Sequence, residues 1–378
     1  MRKFDLRDRK ILSLVCKKVN LLLLTWPLGI IIYFVAKSDR DIAENVFARG
    51  IFKVYAWIMT HLTGWIPFSL AEFLVIAFPI FIIAMIVTGI VKTVKNKGKR
   101  LEYALRIPMN LLIAGGIVFL WFMIGAGTNY YRYEYAHFSG LEQYMGKSTK
   151  EELYDLCIEL AQKTNAARAE AAHDTDSPFV SEYSDRERAY QAKAAMEKLS
   201  ETIPVLKGYY PRPKSVLFSR FMSRFNITGV YFPWTVEANV NVDVPDYSIG
   251  AALCHELSHL RGFMREDEAN FIGYLACVNS DSAELRYSGY MLALVYAGNK
   301  LYEESADLYR QLYSMYSPGV VADFRENSAY WKEFKDTVLE RAGEKMNDTY
   351  LKINNQTDGT KSYGRMVDLL IAEYRSRQ

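Results

Sequence analysis

The chain has 378 residues, half of them hydrophobic, with 46 Lys and Arg set against 43 Asp and Glu for a net charge of +3. That length allows a membrane part plus one further domain with its own core, and so even a charge balance excludes a protein that binds polyanions through bulk charge. The mean hydropathy of −0.07 averages two unlike parts, because three long apolar stretches fall in the first 130 residues and the remainder has ordinary charge density with many tyrosines.

The stretches from Val19 to Ala36, Leu70 to Val91 and Ile107 to about Gly127 are each near the roughly 20 residues that cross a bilayer, so residues 1–130 read as three transmembrane helices. Pro27, Pro79 and Gly115-Gly116 would weaken soluble helices but are tolerated in spanning ones, and Pro108 falls near a helix start. No small-residue cleavage site follows the first stretch, which sets aside a signal peptide. Arg2, Lys3, Arg7, Arg9, Lys10, Lys17 and Lys18 precede the first span, and Lys92, Lys95, Lys97, Lys99, Arg100 and Arg106 separate the second from the third. The positive-inside rule then makes the N-terminus cytoplasmic and residues 131–378 an extracytoplasmic domain. Between the first two spans, Ile42, Val46, Ile51, Tyr55, Ile58, Met59 and Leu62 recur at helical spacing near Trp57 and Trp65. They predict an amphipathic helix in the headgroup region, with packing beneath the following domain as the alternative.

Beyond the spans, Thr149 to Glu170 has an apolar side of Leu153, Leu156, Cys157 and Leu160 and a cap in Ser148 or Thr149. A polar break from Asp174 to Asp185 leads to a second helix, Glu187 to Ile203, and a Pro-rich loop, Tyr209 to Lys214. Val216 to Phe221 and Ile227 to Val242 hold most of the strand-like sequence, in which Glu237 and Asn239 face a cleft or solvent. The whole predicts a mostly helical α+β domain with a small sheet after an α-helical membrane region. Glu284 to Tyr316 reads as core with a break near Gly298-Asn299, and Lys332 to Gln378 as two helices around a turn-rich stretch, Asn354 to Gly364.

One motif carries chemistry. His255-Glu256-Leu257-Ser258-His259 places two imidazoles one helical turn apart with a carboxylate beside the first, the arrangement in which a zinc ion and a general base act on one water. A bare HExxH arises by accident in on the order of one chain in a hundred of this size, so its surroundings decide. A helix from Asp246 to Leu260, capped by Asp246 or Ser248, buries a stripe of Ile249, Leu253, Leu257 and Leu260 and turns the histidines elsewhere. Were that helix unbroken, Glu266 would lie roughly 10 Å along the axis from His259, too far for one ion. Gly262 allows the chain to reverse, and a second helix starting near Arg265 then brings Glu266, Asp267 or Glu268 back, with Asn270 one turn behind.

The pairing of HExxH with Glu266-Asp267-Glu268-Ala269-Asn270 resembles the gluzincin metallopeptidases, which implies Glu266 as third ligand and a zincin-like fold for the domain. The link is short, closer to a metzincin turn, but the metzincin third-ligand position falls on Arg265, which binds no metal. The chain also resembles a bacterial membrane family designated domain of unknown function 3810. That likeness spans the apolar N-terminal segments, Phe232 to Ala238, the motif block, Asn347 to Lys352 and Ser362-Tyr363-Gly364. It implies a membrane-bound zinc peptidase and supplies no substrate.

The expected chemistry is hydrolysis of a peptide or protein substrate with Zn2+ on His255, His259 and Glu266, and Glu256 as base and then acid. Gly229, Val230 and Tyr231 are expected in a sheet-edge strand that pairs with substrate, with a plain hairpin as the equal alternative. Tyr363 and Tyr350 are candidate oxyanion donors, since tyrosine often serves in related enzymes. Cys16, Cys157, Cys254 and Cys277 show no zinc or disulfide spacing; His61, His137 and His173 read as surface or interfacial. The other expected partner is the lipid bilayer, with no nucleic acid, and oligomeric state is unspecified. A non-catalytic zinc-binding sensor, receptor or scaffold is the competing class, against which the intact Glu256 argues.

Overall fold

A computed structural model describes residues 18–172, 176–356 and 365–378. Arg2 to Lys17, with Cys16, and His173, Asp174, Ser362, Tyr363 and Gly364 lie outside the described residues. The fold is mostly helical with one small mixed sheet. Three helical stretches are long and apolar enough to cross a membrane: Lys18–Ser38, Leu70–Lys95 and Lys97–Gly125. Their main helices are α1 (Thr25–Ser38), α3 (Leu70–Lys95) and α4 (Arg100–Gly125), with α2 (Lys53–Thr63) between the first two. The third is longer at its start than its hydropathy implies, so Pro108 sits inside α4. The charged turn from Arg100 is helical as well, and apolar content marks only the part suited to lipid.

The link from Arg40 to Thr63 is helical throughout and does pack against the following domain. Its buried side is Ala43, Phe47, Ala48, Phe52 and Ala56, while Val46, Ile51, Ile58, Leu62, Trp57 and Trp65 from the sequence stripe are exposed. Most of the stripe is therefore the outward apolar face, with Tyr55 and Met59 turned partly to the core, and three alanines with Phe47 and Phe52 make the inward one.

In the domain, α5 (Lys150–Ala171) and α6 (Asp185–Thr202) both begin with capping boxes, Thr149 with Glu152 and Ser184 with Glu187. Then come β1 (Lys214–Ser215), β2 (Gly229–Phe232) and β3 (Glu237–Val240), α7 (Asp246–His259), α8 (Glu266–Val278) and α9 (Ala283–Glu304). Last are α10 (Ala306–Tyr313), α11 (Pro318–Lys332), α12 (Val338–Ile353) and α13 (Met366–Ser376). The core gathers Leu153, Leu156 and Leu160 of α5, Met196 of α6, Leu253 and Leu257 of α7, Phe271 and Ile272 of α8, and Met291 and Leu294 of α9.

The sheet order is β1-β3-β2, β1 parallel and β2 antiparallel to β3, with Val230 opposite Asn239. Three sequence expectations change here. Val216 to Phe221 is no strand; it forms a turn and the short helix Ser219–Ser223, where Ser219 Oγ donates to Val216 O. Gly298-Asn299 does not break α9, which runs to Glu304 because Gly298 is buried and tertiary packing overrides its weak helix preference. Glu237 and Asn239 face neither cleft nor solvent. Glu237 is 2% exposed, ion-paired with Lys214, and accepts from Ala71 N at 2.8 Å and Leu70 N at 3.2 Å, so it stabilises the start of α3. Asn239 Oδ1 accepts from Ser69 Oγ at 2.7 Å.

The β2–β3 connection is fastened to the apolar helices. Tyr231 Oη donates to Gly125 O at 2.8 Å, Trp234 Nε1 to Val118 O at 3.1 Å, and Tyr55 Oη to Pro233 O at 2.7 Å. Within it, Val236 takes φ 53°, a strained state for a β-branched residue that the surrounding bonds impose.

Candidate metal centre

The motif helix α7 buries Ile249, Leu253, Leu257 and Leu260 completely or nearly so, as its periodicity requires. Its N-terminus differs from expectation, because Pro245 is the cap residue and no side chain caps it. Asp246 instead accepts from Ser181 N and Arg188, and Ser248 Oγ donates to Pro245 O. Past His259, Gly262 takes φ +83°, and the chain reverses into α8, whose first residue is Glu266. The two helices lie so close that a Cβ on Gly273 would meet His255 N at 3.0 Å.

The reversal brings His255, His259 and Glu266 together, with one ligand atom of each within 4.8 Å of the others. His255 Nε2 is 3.1 Å from His259 Nε2 and 3.1 Å from Glu266 Oε2; His259 Nε2 is 4.0 Å from Glu266 Oε1. The rival acids point away. Glu268 Oε1 accepts from Tyr135 N at 2.7 Å, and Asp267 Oδ2 from Arg365 Nε at 3.1 Å.

Hydrogen bonding fixes which ring nitrogens face inward. Phe263 O, 2.7 Å from His259 Nδ1, can only accept, so Nδ1 carries the proton and the neutral ring turns a lone pair inward at Nε2. Asn270 gives an amide hydrogen to Tyr296 Oη and presents Oδ1 to His255 Nδ1 at 2.7 Å, which orients the second ring the same way. Such outer partners hold metal-ligating imidazoles in place and raise their basicity. Two Nε2 atoms around a tetrahedral zinc would stand about 3.3 Å apart given Zn–N distances of ~2.0–2.1 Å, so the donor set fits such a cation.

Charges in the metal-free cavity agree. Burial lowers His255, yet the bond to Glu266 and the charges of Glu256 and Glu266 outweigh it and raise the ring to about 9. His259, where burial prevails, falls to about 4. A proton shared between His255 and Glu266 thus sits where a cation would.

Glu256 is 4% exposed, with Oε1 4.0 Å from His255 Nε2. Burial lifts it to about 8, against the pull of His255 and with the push of Glu266. Its Oε2 is buried without a hydrogen-bond partner among the described residues. Over it lies β2, an edge strand as the sheet order dictates: a Cβ on Gly229 would meet Glu256 Oε1 at 2.3 Å, Val230 is 38% exposed, and the Tyr231 ring lies 5.8 Å from that of His259.

Tyr350 of α12 accepts from Tyr130 Oη at 3.0 Å, and its ring lies 6.3 Å from that of Phe122. Burial raises Tyr350 to about 12, and the charges of Glu266 and Glu256 reach it, so it stays a neutral donor beside the acids. Tyr363 lies outside the described residues. Asn270 was legible as a residue one turn behind the acid, whereas Tyr296, Tyr130, Phe122 and the Phe263 carbonyl carry no sequence signal that sets them apart. Cys157, Cys254 and Cys277 are buried and free, and His61 stacks beside Tyr209 at 4.2 Å.

Fold and site together define a mostly helical chain with three candidate membrane spans and a His-His-Glu group that could hold a metal ion. Residues 47–371 match the family described as "Protein of unknown function (DUF3810)", and the chain belongs to that family. No curated protein and no solved structure matches it.

Proposed function

We propose that this protein is a membrane-anchored, zinc-dependent endopeptidase with a zincin-like domain, residues 131–378, on the extracytoplasmic side of a bacterial membrane. The observation that carries the reading is Glu256: a buried carboxylate oxygen without a hydrogen-bond partner among the described residues, beside two imidazoles whose Nε2 atoms converge. A purely structural site needs no such group.

His255, His259 and Glu266 would hold zinc, which when bound supplies Lewis acidity that activates water and polarises a carbonyl. Glu256 takes a proton from the attacking water at its free Oε2 and returns it to the leaving amine. Burial raises the proton affinity of Glu256 in the metal-free site and a neighbouring cation would lower it again, so the two together bring a base that must also act as an acid toward the operating range. An extended peptide pairs with the outer edge of β2, and Gly229 lets its backbone lie directly on Glu256. Tyr350, kept neutral, donates to the developing oxyanion.

The test is zinc content and hydrolysis of a broad peptide library for wild type, His255→Ala and Glu256→Gln. The peptidase reading expects zinc in wild type and Glu256→Gln but not His255→Ala, with cleavage by wild type alone. Zinc in both without cleavage by either would replace it with a sensor or receptor.

A further inference from the structure

A cavity of about 190 Å³ lies away from the histidine pair, between the Arg40–Thr63 segment, the loop at Pro204–Lys207 and the end of the motif helix. Five cationic side chains line it, Arg49, Lys53, Arg132, Lys207 and Arg261, and none of its lining residues is acidic. Glu44, just outside, pairs with two of them and so offsets one of their two charges: Arg132 Nη2 and Arg49 Nε lie 2.9 and 2.8 Å from its Oε1.

The other three have no acid partner among the described residues. Arg261 is the most exacting case. Its guanidinium lies flat on Gly208, where a Cβ would collide with it, and 4.8 Å over the Tyr210 ring. Nη2 donates to Tyr209 O at 3.0 Å, but Nε is buried with no acceptor. A half-buried guanidinium whose Nε is enclosed, and which has no carboxylate partner among the described residues, lacks the counter-ion that such groups ordinarily require. Lys53 and Lys207 are exposed and reach the same cavity from opposite walls.

We propose that this cavity binds a phosphate-bearing anion, supplied by the headgroup of an anionic phospholipid in the adjacent leaflet. A guanidinium fork with two flanking ammonium groups is the donor set that phosphate oxygens accept from. The setting favours lipid as the source. The Arg40–Thr63 segment joins two candidate spans, and its opposite face, with Val46, Ile51, Val54, Trp57, Ile58 and Leu62, is exposed and apolar. A helix that rests this face in the bilayer holds Arg49 and Lys53 at headgroup depth.

Full-length protein in a zwitterionic detergent is titrated with dihexanoyl phosphatidylglycerol, dihexanoyl phosphatidylcholine and inorganic phosphate, read by native mass spectrometry. Wild type is expected to take one phosphatidylglycerol at least tenfold more tightly than phosphatidylcholine. The Lys53→Gln/Lys207→Gln variant should lose tenfold or more of that affinity at an unchanged unliganded Tm. Saturable binding of inorganic phosphate that the variant also loses would keep the anion site and assign it to a soluble phosphate. Equal binding by wild type and variant, equal affinity for the two lipids, or no binding of any probe overturns the proposal. Should the double variant fold poorly, Lys207→Gln on its exposed loop carries the same comparison.

Discussion

Two carboxylates on neighbouring elements are buried almost equally, Glu237 on β3 at 2% exposure and Glu256 on α7 at 4%, yet their surroundings are opposite. Glu237 is saturated, with two backbone amides of α3, the Thr235 hydroxyl at 2.7 Å and the Lys214 ammonium all directed at it. Glu256 has one oxygen with nothing to accept from. Burial alone therefore says little about a carboxylate's task, whereas the count of donors around it separates a structural acid from one held ready for a proton.

The comparison breaks first at the chemistry. Glu256→Gln should lower peptide hydrolysis by about 10²- to 10⁴-fold while zinc content holds, the range removed with a general base, and unchanged turnover would remove Glu256 from the mechanism. Glu237→Ala should act on stability instead, because it strands the buried Lys214 charge. A loss of about 3–5 kcal/mol in unfolding experiments is expected, and a loss under 1 kcal/mol would show that the pair is not the anchor of α3.

Smaller effects sharpen the contrast. Asn270→Ala frees the His255 ring, and equilibrium metal titration should find affinity reduced about 10- to 100-fold. Metal uptake should also depend on pH. His255, near 9 without metal, must release its proton to offer Nε2, so apparent affinity rises about tenfold per pH unit up to pH ~9 and then levels. A flat profile between pH 7 and 9 would contradict the His255–Glu266 proton. Gly262→Ala should be mildest, about 1–2 kcal/mol of stability from left-handed strain, with added crowding against Arg132 Nη1 at 3.0 Å.

The convergence of His255, His259 and Glu266 into a group that could hold a metal ion was legible because its signal is local: helical spacing set His255 against His259, and Gly262 announced a reversal that brings back an acid just beyond it. The three apolar helices were legible for the same reason, since lipid demands a long uninterrupted run. What escaped is set by distant partners. Glu237 and Asn239 read as facing a cleft or solvent because their donors, Lys214 and Ser69, lie on other elements. Val216 N still donates to Val240 O at the end of β3, but the apolar residues after it turn into the short helix Ser219–Ser223, and Gly298 kept its helix because the packed face left it no alternative. Tyr296 and Tyr130 belong to a tyrosine-rich background in which position, not identity, confers a role.

The fastening of the β2–β3 connection has a practical corollary. Tyr231, Trp234, Pro233 and Glu237 each make at least one polar bond to a residue between Tyr55 and Gly125, so a truncation that keeps only residues 131–378 would strip acceptors and donors from the wall beside Glu256. The N-terminal third serves as a jig that clamps the strand over Glu256, and preparations meant to test the proposed chemistry must carry it intact.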